Sequence, residues 1–146
     1  MADEGDVSAM AAMLIPMLKE QLGNQENKKY LKGLQGICEL QLVQKGKKAG
    51  AWHIILKGDK EIPVVVEGKA QKPTLSVTVD DDTLLKLATG KLNPITSFMN
   101  GKIKVAGNLM MAQKLESTFR SAGGYEKTRP FVMAFAESNS YLKSKL

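Results

Sequence analysis

This chain has very few of the side chains from which active sites and metal sites are built. It contains one histidine and one cysteine in 146 residues, so a histidine triad, a histidine metal site or an internal disulfide has no second member. No G-x-G-x-x-G or P-loop spacing occurs. His53 is expected to face solvent from a strand. Asp80, Asp81 and Asp82 predict a helix start rather than a calcium loop, whose ligands are more widely spaced. We therefore predict a protein that is not an enzyme, with no catalytic residue, metal or cofactor.

Long apolar runs and aromatic clusters are lacking as well. No stretch approaches the roughly 18 apolar residues of a membrane span, and the opening MADEGD lacks the basic and apolar regions of a secretory leader. Aromatic residues make up 5% of the chain and the lysines are scattered, which argues against a stacking platform for nucleic acid.

The net charge of +6 suits transient contact with an anionic membrane surface. Cys38 is predicted to be a small core residue in a reducing compartment.

The hydrophobic period changes along the chain and so indicates the order of its elements. Residues 1–6 are predicted to be a disordered lead. Helical spacing follows at 7–22, where Pro16 interrupts it, and at 25–34. Alternation then predicts strands at 37–42, 51–57, 62–67 and 74–79, followed by helices from 80 and from 94, a fifth strand at 103–105, a helix at 108–119 and a helix at 128–143.

This order predicts an α+β fold. Four strands in sequence joined by short turns imply an antiparallel meander, and a fifth strand completes a five-stranded, mostly antiparallel sheet covered on one face by helices. The length corresponds to one domain, which we place at 7–122, with a C-terminal helical extension at 123–146.

Four short motifs lie close together between the last strands and helices. They read T-G-K-L-N-P at 89–94, F-M-N-G at 98–101, K-I-K-V-A-G-N at 102–108 and A-Q-K-L at 112–115. Their joint spacing resembles the sterol carrier protein 2 (SCP-2) domain of non-specific lipid-transfer proteins. The resemblance covers roughly residues 8–120. It implies helices over a five-stranded sheet with an apolar tunnel between them, and the binding of long-chain fatty acids, acyl-CoA or sterols without covalent chemistry.

The side chains that would line such a cavity are the apolar members of the predicted inner faces, together with two polar positions, Asn100 and Gln113, that are taken from the resemblance. Trp52 occupies the aromatic position of the second strand, Asn100 stands where the family often has Gln, and Gln113 stands where it often has Met. The predicted lipid-binding set is Leu40, Leu42, Trp52, Ile54, Leu56, Val77, Phe98, Met99, Asn100, Ile103, Leu109, Met110, Ala112, Gln113 and Leu115.

The last three residues are Ser144, Lys145 and Leu146. S-K-L at a free carboxyl end is a peroxisomal import signal that is read by a receptor. We therefore expect a protein of the peroxisomal matrix and an import receptor among its partners. The resembled family often carries this signal.

Several alternatives remain open at this point. The chain could present acyl-CoA to peroxisomal β-oxidation enzymes instead of transferring lipid. Residues 45–48 are expected to be a solvated turn, with contact to anionic head groups or an acyl-CoA phosphate as the second interpretation. The helix at 128–143, with Arg129 and Pro130 at its start, could cap the cavity mouth, pair with another subunit or present the import signal. Phe131 and Phe135 favour its docking.

Overall fold

The computed structural model describes residues 15–44 and 47–137. Residues 15–23 are helical (α1) and precede a 3-10 helix, Gln25–Leu31. The strands are β1 (Gln35–Gln44), β2 (Lys47–Lys57), β3 (Val64–Glu67), β4 (Leu75–Asp80) and β5 (Ile103–Gly107), and the remaining helices are α2 (Asp81–Ala88), α3 (Pro94–Met99), α4 (Leu109–Ser121) and α5 (Gly124–Glu137). Among these residues no helix is both long enough and apolar enough to cross a bilayer.

The sheet has the order β3-β2-β1-β4-β5. Three of its pairings are antiparallel, and β1 pairs with β4 in parallel. The α+β class and the five-stranded, mostly antiparallel sheet are thus confirmed, but the simple meander is wrong. The fourth strand pairs with the ten-residue β1, which offers a longer ladder than the four-residue edge strand β3. Pairing with β1 makes β4 a central strand, in keeping with its inward Leu75, Val77 and Val79.

The segment from β3 to β4 therefore crosses the outer face of the sheet. It is fixed there by backbone hydrogen bonds from the amide of Gly68 to the carbonyl of Ala51 and from the amide of Thr74 to the carbonyl of Ile37, each 2.8 Å long. The side chain of Glu39 accepts from the amide of Ala70 at 2.9 Å. Backbone groups in this segment thus have partners although it has no regular secondary structure.

The inner face of the sheet is apolar and faces the helices. The register places Leu40 of β1 between Trp52 of β2 and Val77 of β4. Since side chains alternate along a strand, the predicted inward sets of β1, β2, β4 and β5 are confirmed as one surface. His53 lies on the outer face, half-buried, with Nδ1 2.9 Å from the carbonyl oxygen of Gly68.

The helices α2, α3 and α4 begin where the sequence predicts. Asp80 caps α2 by accepting from the amide of Thr83 at 2.6 Å. Asn93 caps α3, with Pro94 at its first position, and Asn108 caps α4 by accepting from the amide of Met111 at 3.1 Å. A side-chain oxygen at each position satisfies an amide that the helix itself leaves unbonded.

The core has two parts. We call the first the solid cluster, which consists of Leu42, Val79, Leu85, Ile103 and Val132. We call the second the cavity cluster, which consists of Leu31, Leu34, Leu56, Leu75 and Met111. The solid cluster joins the sheet to α2 and α5, and the cavity cluster joins the sheet to the 3-10 helix and α4.

The C-terminal helix packs into the solid cluster. Val132 is completely buried there, and Nε of Arg129 donates to the carbonyl of Thr89 at 3.0 Å. A cation at the end of α2 also interacts favourably with the helix dipole. The burial of Val132 confirms that this helix docks. Its predicted start at residue 128 was wrong, because the helix starts at Gly124 and contains Pro130 in its interior.

Several predictions fall on residues that the structure does not describe. The disordered lead at 1–6, the helix start at 7, the end of the last helix at 138–143 and the tripeptide at 144–146 lie outside the described residues. Lys47 and Lys48 were predicted to lie in a turn and instead begin β2, because the hairpin ladder extends to Gln44 and Lys47.

Candidate functional site: an apolar cavity between sheet and helices

A cavity of about 250 Å³ lies between the inner face of the sheet and the helices α1 and α4 with the 3-10 helix. Its floor comes from β1 and β2, and its walls come from the helices. It is lined by Met17, Leu18, Gln21, Leu22, Asn27, Tyr30, Leu31, Leu34, Cys38, Ile54, Leu56, Leu115, Thr118, Phe119, Ala122 and Gly124.

Local sequence explains how the walls are held. In α4 the lining residues Leu115, Thr118, Phe119 and Ala122 follow helical spacing and so share one face. Asn24 caps the 3-10 helix by accepting from the amide of Glu26 at 2.9 Å. The helix then places Tyr30 and Leu31 next to β1.

Two polar side chains of the lining, Asn27 and Thr118, have hydrogen-bond partners within the protein. Nδ2 of Asn27 donates to the carbonyl oxygen of Gln21 at 3.0 Å and to its Oε1 at 3.3 Å. Oγ1 of Thr118 donates to the carbonyl of Tyr30 at 3.3 Å. Among the described residues that line the cavity, none has a charged side chain. This part of the lining can therefore hold hydrocarbon.

Among the described lining residues, Cys38 is the one with intrinsic reactivity. Burial, and secondarily the neighbouring carboxylate of Glu39, raises the pKa of its thiol to about 11. The thiol is therefore protonated at neutral pH and is a poor nucleophile. Cys38 behaves as a small apolar residue, as the sequence predicted, but it contacts the cavity.

The outer face of the sheet carries the buried carboxylate of Glu39, which is 3% exposed. It accepts hydrogen bonds from Gln41, from the amide of Ala70 and from Ser76 at 3.2 Å. Burial opposes ionisation of this group, but these hydrogen bonds and the charge of Lys69 outweigh it and lower its pKa. Glu39 thus ties the crossing segment to the sheet. Within the described ranges no three His, Cys, Asp or Glu side chains are placed to hold a metal ion.

The structure distributes the predicted lipid-binding residues over four places. The cavity lining includes Ile54, Leu56 and Leu115. Ala112 packs against the cavity cluster. Five of the predicted residues belong to the solid cluster or pack against it: Leu40, Leu42, Trp52, Val77 and Ile103. The exposed surface includes Phe98, Met99, Asn100, Leu109, Met110 and Gln113. Lipid contact by residues outside the lining stays a prediction, as does the apolar tunnel.

The wall from α1 and the 3-10 helix was missed. Met17 and Leu18 lie in the first predicted helix, and Tyr30, Leu31 and Leu34 lie in the second. The same periodicity marks side chains that fill a core and side chains that line a cavity. It gave no sign of which half of the sheet these helices cover.

The comparisons with known proteins identify the family. Residues 17–120 match the SCP-2 sterol transfer family. The chain belongs to this family. It is 34% identical to sterol carrier protein 2 of Gallus gallus over 94 residues, which are 64% of this chain and 17% of that protein. The chain thus spans about a sixth of the length of the first curated relatives that it matches.

A shorter relative and a solved structure match over more of their length. The oleate-induced peroxisomal protein POX18 of Candida maltosa is 32% identical over 111 residues, which are 75% of this chain and 87% of that protein. The solution structure of sterol carrier protein domain 2 of Helicoverpa armigera superposes with a TM-score of 0.62 at 28% identity and covers 77% of this chain and 87% of that one. The SCP-2 fold is therefore shown for the sheet and its covering helices.

Proposed function

We propose that this protein is a peroxisomal non-specific lipid carrier that binds the tail of a fatty acid, an acyl-CoA or a sterol in the cavity and transfers it without covalent chemistry. The observation that carries the proposal is the cavity itself. It is apolar, its described lining has no charged residue, and it lies where the core departs from close packing.

The volume sets the size of the tail that fits. A benzene molecule occupies an apolar cavity of about 150 Å³, so the 250 Å³ available here corresponds to about ten carbon atoms. Each buried methylene contributes about 0.8 kcal/mol. The gross contribution is then about 8 kcal/mol, from which the ordering of ligand and protein is subtracted. Such binding depends on tail length and little on head-group chemistry.

The family and the relatives support the same proposal. The matched family is described by sterol transfer, and the name of the Candida relative refers to oleate and to the peroxisome. The distinction between a free carrier and an accessory that presents acyl-CoA depends on whether the CoA group adds affinity. The lack of charged side chains in the described part of the lining favours the carrier.

Titration of the delipidated full chain with a fluorescent fatty acid tests the proposal. We expect saturable binding, displacement by unlabelled long-chain lipids and affinity that increases with tail length. An acyl-CoA should bind about as tightly as its free acid, and a large advantage for the CoA form would support the accessory function instead. Failure to bind any long-chain lipid would refute the proposal.

The location is tested in cells with a fluorescent protein fused to the N-terminus. We expect punctate fluorescence that coincides with a peroxisomal marker. Replacement of Leu146 by Asp should disperse the fluorescence through the cytosol, because the import receptor reads the terminal Ser144, Lys145 and Leu146. The matched control is Leu142→Asp, which leaves the tripeptide unchanged. Unchanged puncta in the Leu146 variant would exclude this signal.

A further inference from the structure

A second, polar pocket lies beside the apolar cavity and has a volume of about 270 Å³. Lys32 contributes to it from the turn that follows the 3-10 helix, and Lys114, Ser117 and Ser121 contribute from α4. We call this site the lysine pocket. Among its described lining residues there is no aspartate and no glutamate.

The lining from α4 follows from the helical repeat. Lys114, Ser117 and Ser121 are three and four residues apart and therefore share one face of the helix. The nearby carboxylate of Glu116 is paired with Arg120, whose Nε lies 2.9 Å from its Oε1. Neither lysine of the pocket has an ion-pair partner among the residues that the structure describes. The pocket thus offers two ammonium groups and two hydroxyl groups as hydrogen-bond donors.

The lysine pocket and the apolar cavity share part of their lining. Tyr30, Leu34 and Thr118 line both of them. The polar end of a lipid whose tail fills the cavity needs a polar site, because a carboxylate without a partner is costly to remove from water. The lysine pocket supplies such a site next to the cavity.

We propose that the lysine pocket binds an oxyanion, either the carboxylate or phosphate of a lipid head group or a free phosphate. Ammonium and hydroxyl groups donate charge-assisted hydrogen bonds to such oxygens. For a lipid head group the inference rests on the proposed function. It then adds to that function a preference for anionic over uncharged lipids.

The size of this preference follows from the exposure of the two charges. Lys32 and Lys114 are exposed, and ion pairs at such positions are weak. We expect the two together to favour an anionic head group about tenfold, which is small beside the contribution of the tail. A free acid and its acyl-CoA are both anionic, so the pocket does not separate them by charge.

Calorimetric titration of the delipidated full chain with decanoic acid and with 1-decanol tests the preference. Both ligands have the tail of about ten carbons that the cavity volume accommodates, and they differ in the charge of the head group. In the variant Lys32→Gln/Lys114→Gln the ratio of decanoate affinity to decanol affinity should fall about tenfold. Lys32→Arg/Lys114→Arg should retain the wild-type ratio, because arginine also donates to carboxylates.

The matched control is Lys60→Gln/Lys72→Gln. It removes two exposed lysines elsewhere and changes the net charge by the same amount. Its ratio of decanoate affinity to decanol affinity should equal that of the wild type. A change in the control as large as that in the pocket variant would overturn the assignment, since the preference would then follow net charge and not the pocket.

A free anion is distinguished from a lipid head group by titration with inorganic phosphate. The amide NMR signals of Ser117 and Ser121 are followed in phosphate and in sodium chloride of equal ionic strength, because salt alone screens charges. Saturable shifts that are lost in Lys32→Gln/Lys114→Gln would support a free-phosphate site, and the fall in the affinity ratio would support the lipid head group. An unchanged ratio together with absent or persistent phosphate shifts would overturn the proposal.

The same measurements separate this inference from the proposed function. If no lipid binds the wild type while phosphate shifts occur and depend on the two lysines, the carrier proposal fails and the oxyanion site stands. If both lipids bind with one ratio in every variant and no phosphate shift occurs, the carrier proposal stands and the oxyanion site is wrong.

Discussion

Filling the cavity from its wall should abolish lipid binding without unfolding the protein. Ala122 lies at the end of α4 and lines the cavity. The change Ala122→Phe adds a phenyl ring, and a benzene-sized group occupies about 150 Å³ of the 250 Å³ present. About six of the roughly ten carbons of the tail then lose their place, which removes about 5 kcal/mol of transfer free energy at about 0.8 kcal/mol per methylene. This loss corresponds to more than a thousandfold in affinity.

The assay is titration with a fluorescent fatty acid, combined with circular dichroism and thermal unfolding of the same sample. The added ring occupies existing space, so we expect the melting temperature to be retained or raised. Ala106→Phe is the matched control, since Ala106 is exposed on the outer face of β5. It should bind the fatty acid like the wild type. A folded Ala122→Phe protein with unchanged affinity would show that the tail binds elsewhere.

Three further predictions concern stability and reactivity. Leu42→Ala in the solid cluster should lower the free energy of unfolding by about 2–5 kcal/mol, measured by urea denaturation, and a loss below 1 kcal/mol would contradict a tightly packed site. Glu39 has a lowered pKa in the folded state, so its contribution to stability is present above the ordinary glutamate pKa of about 4.3 and is lost as the pH falls through the folded value. The melting temperature of Glu39→Gln should therefore depend less on pH in the acidic range than that of the wild type, and parallel curves would refute this role. Cys38 should react slowly with iodoacetamide at neutral pH because its thiol pKa is about 11, and bound fatty acid should slow it further; modification that is fast, or indifferent to ligand, would place the thiol outside the cavity.

Much of the local structure could be predicted because its causes are local. Alternation of apolar and polar residues fixed which side of each strand faces inward, as Leu40 and Trp52 show by their pairing. Asp80, Asn93 and Asn108 were predictable helix starts because their side-chain oxygens bond amides two or three residues away. The motifs between residues 89 and 115 pointed to the family that the comparisons then showed.

The long-range pairings could not be read in this way. Nothing in the alternation of Leu75, Val77 and Val79 says whether their strand pairs with β3 or with β1. The apolar stripe of α5 predicted docking, but only the fold shows that Val132 enters the cluster of Leu42. The exposed Met99 and Met110 look like core residues in the sequence, because periodicity identifies the apolar side of a helix and not its coverage.

The amino-acid sequence by itself determined the elements, their caps, the inward face of each strand and the family, since these depend on side-chain chemistry over a few residues. The tertiary structure decided which helices cover which half of the sheet. On one half α2 and α5 fill the space against the sheet, and on the other α1, the 3-10 helix and α4 leave about 250 Å³ open. A cavity is volume that no side chain occupies, and such volume depends on how distant segments pack together.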